Sequence, residues 1–226
     1  MRRVLLMMAL GSGMLAPGWG APVVCSPGSL DSYIGLGTDG CTIGDATLSR
    51  FASLPPPDGA SEIAPGAIFV TPLLDGARFA LRFGLGATAA AGDILQSLIS
   101  FQVNASGLAG VEVSLAGAAA AGDAAVTATS NLCLEGAFSG FDCIGTPENA
   151  PIAFTIAADS LLSARQTFSR SMNVGLLQDI VVDAGTAGSA ALESSTLRFS
   201  AVPEPGTQIT LFSGLLFAAF LRLRRR

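Results

Sequence analysis

Apolar and polar side chains alternate along much of this chain. In Arg78-Phe79-Ala80-Leu81-Arg82-Phe83 the residues Phe79, Leu81 and Phe83 share one side and both arginines the other. Ile99 to Asn104 and Val111 to Leu115 repeat the pattern, and Ile152 to Ile156, Gln166 to Met172, Leu177 to Asp183 and Thr196 to Val202 are further candidates. A period of two marks strands with one face buried. Gly, Asp, Pro and Ser punctuate the segments, and no long amphipathic helix is encoded. The alanine-rich stretches Ala87–Ala91 and Ala118–Ala121 each end in Gly-Asp and are too short to persist as helices, so they read as loops. The pattern predicts an all-β fold: a single β-sandwich, jelly-roll-like or immunoglobulin-like, over residues 21–201.

The two ends break the pattern. Arg2 and Arg3 precede the apolar run Val4 to Leu10, and Gly18 and Gly20 stand three and one residues before a cleavage point after Gly20. That order of charge, apolar run and small residues is a secretory signal peptide over residues 1–20. At the other end, Ile209 to Leu221 is interrupted only by Thr210, Ser213 and Gly214, and Arg222, Arg224, Arg225 and Arg226 follow. Residues 207–223 give a short transmembrane helix of about 25 Å against a ~30 Å hydrocarbon core. The arginines place its C-terminus in the cytoplasm and the body of the protein on the far side.

Composition then narrows the chemistry. The 226 residues are 50% apolar and 13% charged, and all twelve basic residues are arginine, with neither lysine nor histidine. This removes Ser-His-Asp triads, Cys-His pairs, Ser-Lys dyads and Schiff bases. Paired carboxylates remain for glycoside hydrolysis, but acid counts alone locate no pair, and the body keeps one tyrosine and no tryptophan for stacking sugars. The expectation is a non-enzymatic protein without cofactor or metal. Residues 21–205 hold six arginines against seventeen acids, a net charge of −11, which disfavours nucleic acid as a partner.

The cysteines are Cys25, Cys41, Cys133 and Cys143. Three pairings are open. Export favours disulfides, and the short loops favour Cys25–Cys41 with Cys133–Cys143. Zinc would want tighter Cys spacing or histidines. Asp39 and Asp45 lie near each other in sequence, but Cys41 and Ile43 stand where a calcium loop would place further ligands. Asn104-Ala105-Ser106 matches a glycosylation acceptor, a short motif that recurs by chance.

Val202, Pro203, Glu204 and Pro205 come just before the apolar helix. Prolines on both sides of Glu204 hold the chain extended. Pro-Glu-Pro, a short apolar helix and a terminal arginine cluster together resemble the PEP-CTERM sorting signal of Gram-negative bacteria, over residues 202–226. A similar tail is also labelled the ice-binding protein C-terminal domain. The resemblance implies recognition by an exosortase, a membrane-embedded cysteine transpeptidase, through Val202, Pro203, Glu204, Pro205, Arg222, Arg224, Arg225 and Arg226. It implies a membrane-anchored precursor that is then released or attached at the cell surface, among exopolysaccharide and other biofilm matrix components. A second stretch, Cys25 to Phe51, resembles the opening of many such proteins, in which a cysteine pair brackets a short helix and Gly-Cys-x-Ile-Gly-Asp turns into the first strand. The expected role is structural or adhesive, the alternative a glycan- or other ligand-binding surface module.

Overall fold

Alternation carries almost the whole body into strand. The computed structural model describes residues 23–75 and 78–201. The expected signal peptide and residues 202–226 lie outside the described residues. The first strands are β1 (Val23–Val24), β2 (Gly28–Ser29), β3 (Cys41–Ile43), β4 (Ala46–Leu54), β5 (Ser61–Glu62), β6 (Phe69–Asp75) and β7 (Arg78–Ala90). They are followed by β8 (Ile94–Ala116), β9 (Ala119–Ala121), β10 (Ala125–Ser139), β11 (Asp142–Glu148), β12 (Ile152–Ile156), β13 (Asp159–Leu161), β14 (Ser163–Asp183) and β15 (Ser189–Ala201). One α-helix, α1 (Leu30–Ile34), is described. Ser29 caps it, its hydroxyl accepting from the Ser32 amide at 3.3 Å.

The strands form one connected sheet, antiparallel except where β1 pairs β3 and β5 pairs β8. Two long strands organise it. β8 and β14 pair from Ser163↔Ser114 to Asp183↔Ile94, with register shifts between Thr167 and Asn173. Gly107, opposite that irregular stretch, has φ +68°, a left-handed conformation costly for other residues. On one side of the irregularity the other neighbour of β8 is β4; on the other side it is β15. The sheet therefore divides into two halves that share β8 and β14. One half continues through β10 to β11 and β12, the other through β15 to β7 and β6.

Both halves contribute to one core. Ile99, Phe101, Leu176 and Ile180 come from the first, and Phe83, Val113, Leu197 and Phe199 from the second. Phe83 and Phe101 meet across the division with centroids 6.3 Å apart. Phe101 stacks on Phe51 at 4.9 Å, and Phe51 takes the edge of Tyr33 at 5.1 Å, which docks α1 onto β4. Burial pushes the Tyr33 phenol up to about 12, and its hydroxyl donates to the Ser26 carbonyl at 2.8 Å. The protein is thus nearly all β, in an arrangement consistent with a β-sandwich.

Several boundaries differ from the sequence expectation. Ile99–Asn104 and Val111–Leu115 belong to one strand, as do Gln166–Met172 and Leu177–Asp183. The pairing of β8 with β14 runs on past Gly107 and Gly110, residues that local reasoning takes as stops. Ala87–Ala90 is strand, not loop, with Ala87 and Ala89 turned into the core. Ala119–Ala121 pairs with Ser189–Ala191. Alternating small side chains give little hydropathy contrast, so sequence alone misses these strands.

Asp123, in the turn before β10, fixes the loop between β14 and β15. Its carboxylate accepts from the Thr186 amide and hydroxyl, both at 2.7 Å, and from the Ala187 amide at 3.0 Å. These bonds, led by the Thr186 hydroxyl, hold its pKa down to about 2, below its ordinary 3.8. The folded state thus favours the ionised form. The stabilisation is complete above the ordinary carboxylate range and is lost as pH falls through about 2. Asp123→Ala is expected to lower the melting temperature at pH 6 and to differ little from the parent at pH 2. Melting curves at the two pH values check this.

Candidate functional site

The disulfides set the frame of the site. Cys25–Cys41 and Cys133–Cys143 are both formed, with Cα separations of 4.9 and 5.4 Å, so the sequential pairing holds. The first ties β1 to β3, where the Cys25 amide also donates to the Thr42 carbonyl at 2.9 Å. The second crosses the hairpin of β10 and β11. That hairpin is irregular between Leu134 and Ala137, where Glu135 adopts φ +52°. The Glu135 carboxylate accepts from the Ser171 hydroxyl at 2.7 Å and the Met172 amide at 3.1 Å, anchoring the bulge to β14. The hairpin tip, two residues from Cys143, presents Phe141.

Phe141 forms one wall of a groove on the outer face of the first half-sheet. Pro55, Pro56 and Pro57, following β4, form the other wall. Register dictates the floor. Asp179 is paired with both Thr129 and Leu98, and Leu177 with both Asn131 and Ser100, so these side chains share the face turned away from the core. Gln96, Leu98, Asn131, Leu177 and Asp179 line the floor, and the cavity measures about 430 Å³. Leu98 and Leu177 are buried beneath the walls, whereas Phe141 is 60% exposed. The same face continues past Thr129 to Ile152, whose side chain is exposed.

The polar groups on this floor are few and fixed. The Gln96 amide donates to Asp179 Oδ1 at 2.8 Å. Burial raises the Asp179 pKa above its ordinary value, opposed by the Gln96 hydrogen bond. Among the described residues the Asn131 side-chain amide has no hydrogen-bond partner. The site thus combines two planar amides and one carboxyl group with leucine, proline and an exposed aromatic ring. Amides and carboxylates match pairs of hydroxyl groups, and the apolar surfaces match the C–H face of a sugar ring.

Sequence reasoning did not find these residues. Phe141 sits in a hairpin turn rather than on an alternating strand, and Gln96, Asn131 and Asp179 are distant in sequence. Asp39 and Asp45 lie in turns on either side of β3. Among the described residues no group of three or more His, Cys, Asp or Glu side chains is placed to hold a metal ion. The sorting-signal residues Val202, Pro203, Glu204, Pro205, Arg222, Arg224, Arg225 and Arg226 lie outside the described residues. Among the described residues no helix is long and apolar enough to cross a membrane.

No protein-family model matches the chain, and no curated protein matches it. Two solved structures are similar to it. The enzymatically active domain of tailspike protein 4 from bacteriophage CBA120 shares 8% identity over 69% of this chain, with a TM-score of 0.27. The chain spans about a fifth of that protein, 19% of its length. TmCBM61, solved in complex with beta-1,4-galactotriose, shares 11% identity over 53% of this chain and 69% of its own, with a TM-score of 0.23. Neither TM-score reaches that of a shared fold.

Proposed function

We propose that this is an exported, non-enzymatic protein of the cell surface or extracellular matrix, whose sandwich holds glycan in the groove between Pro55–Pro57 and Phe141. The observation that carries the reading is the groove's lining: Asn131, Gln96 and Asp179 beside apolar walls and an exposed ring. Asp179 is the one carboxyl group of the lining, whereas hydrolysis by carboxylates uses a pair. Histidine and lysine are missing from the whole chain. Binding fits this lining better than turnover. The two disulfides fit an oxidising compartment.

The test is a glycan array probed with the protein, with and without calcium. Binding to neutral oligosaccharides independent of calcium is the expected result. Asn131→Ala and Asp179→Ala are each expected to weaken it about tenfold or more, since each removes hydrogen bonds to ligand hydroxyls. Retained binding in both variants would exclude the groove.

In the same proposal, residues 202–226 act as the sorting signal and an exosortase is the processing partner. The support is the order Pro-Glu-Pro, apolar run, arginine cluster. Glu204→Ala is expected to leave export intact and to block processing, so that full-length protein accumulates in the membrane. Intact masses of membrane and medium fractions read this out. Processing of the variant at the parent position and rate would reduce Pro203-Glu204-Pro205 to a linker.

A further inference from the structure

The second half-sheet carries a surface of the opposite sign from the rest of the molecule. Residues 21–201 hold six arginines against sixteen acids, a net charge of −10. Four of the six arginines lie on one sheet face. The pairing Arg165↔Glu112↔Arg198 runs across β14, β8 and β15. Arg198 pairs with Ala80, which places Arg78 and Arg82, two residues to either side on β7, on the same face. Phe79, Leu81, Leu197 and Phe199 point into the core between them, so the register itself turns these arginines outward.

The cluster is only partly neutralised. Glu112 is ion-paired with Arg198 at 3.2 Å and accepts from the Ser163 hydroxyl at 3.1 Å. Arg165 donates to the Ser200 hydroxyl at 3.1 Å. Among the described residues Arg78 and Arg82 have neither an ion-pair nor a hydrogen-bond partner, and both are exposed. Asp75 stands opposite Arg78 in the ladder. The depression ringed by Arg78, Arg165 and Arg198 has a volume of only about 10 Å³. A small anion has no enclosed seat there. The face is open, and its guanidinium groups are spread over neighbouring strands about 4.8 Å apart, with hydroxyls of Thr196 and Ser200 between them.

We propose that this face binds an acidic polysaccharide, a linear carboxylated glycan laid across β14, β8, β15 and β7. Charge complementarity carries the proposal: guanidinium forks take carboxylates in paired hydrogen bonds, and the interspersed serine and threonine hydroxyls suit sugar hydroxyls. Nucleic acid fits less well: among the described residues the face offers one exposed ring, Phe69 at its edge on β6, whereas single strands are held by successive bases stacked on several rings. The face is built from residues separate from the Pro55–Phe141 groove, so this proposal stands or falls apart from the proposed function.

The experiment measures binding of the purified, disulfide-bonded protein to immobilised polygalacturonate. Fully methyl-esterified polygalacturonate, single-stranded DNA and vesicles rich in phosphatidylglycerol serve as comparisons. Binding to the carboxylated polymer that falls with added salt and is absent from the esterified one is expected. The triple variant Arg78→Gln, Arg82→Gln, Arg165→Gln is expected to bind about tenfold more weakly. It removes no ion pair within the protein, and near-ultraviolet circular dichroism verifies its fold. Glu112→Gln, which removes the competing carboxylate, is expected to tighten binding; this opposite sign cannot arise from unfolding. Asn131→Ala is expected to bind as the parent does. Unchanged affinity in the triple variant overturns the proposal. So does loss of binding on replacing Arg222, Arg224, Arg225 and Arg226 by Gln instead, or tighter binding to DNA or vesicles than to polygalacturonate.

Discussion

Serine at all four cysteine positions is expected to leave the body unfolded at 37 °C. Each disulfide closes a short loop, 16 and 10 residues apart in sequence, and contributes on the order of 2–3 kcal/mol through the unfolded chain. Together they make up a large part of the roughly 5–15 kcal/mol that holds a domain folded. The local structure explains why little else replaces them. β1 has two residues, both exposed, and pairs only with the three-residue β3. Without Cys25–Cys41 the segment that delivers Leu30 and Tyr33 to the core keeps the two-residue pairing of β2 with β6 and single backbone bonds such as that from the Leu30 amide to the Ile68 carbonyl. Cys133–Cys143 acts elsewhere: it holds the hairpin tip and so the position of Phe141. The single pair Cys133→Ser, Cys143→Ser is therefore expected to weaken glycan binding more than stability. Near-ultraviolet circular dichroism and array binding of the two double variants separate these roles. Equal melting temperatures for the quadruple variant and the parent would contradict this account.

Phe101→Ala is expected to cost about 3–5 kcal/mol. Phe101 is buried at the meeting of the two half-sheets, stacked on Phe51 and near Phe83. Its removal opens a cavity between strands of high long-range connectivity, where neither layer can close alone. The loss is read as a lowered urea midpoint with an unchanged slope, since the unfolded surface stays the same. Phe69→Ala, which alters an exposed ring, is expected to change the unfolding free energy by less than about 1 kcal/mol.

Some of this was legible in the residue order and some was not. Alternation around Phe79, Leu81 and Phe83, and again around Val111 and Val113, identified strands because large and polar side chains contrast at every step. Ala87 and Ala89 alternate just as strictly, but alanine gives no such contrast. Ala125–Ser139 alternates through alanine and threonine and escaped notice for the same reason. The joining of short segments into β8 and β14 is a tertiary effect: partner strands on either side sustain the pairing past Gly107 and Gly110. Cysteine spacing did carry the disulfide pairing. The groove was invisible because its residues converge from β8, β10, β14, a proline run and a hairpin turn. No local motif marks Gln96, Asn131, Phe141 and Asp179 as neighbours. The arginine face is intermediate: Arg78 and Arg82 share a side in sequence, but only the register brings Arg165 and Arg198 beside them.

The most direct test of glycan binding in the groove is a titration of the isotope-labelled protein with the strongest neutral oligosaccharide found on the array, followed by amide and side-chain chemical shifts. Saturable changes are expected at Gln96, Asn131, Phe141, Leu177 and Asp179, with the Gln96 and Asn131 side-chain amides moving most and the β7–β15 face unmoved. Saturable changes elsewhere with the groove silent, or no response to any neutral oligosaccharide, would contradict it.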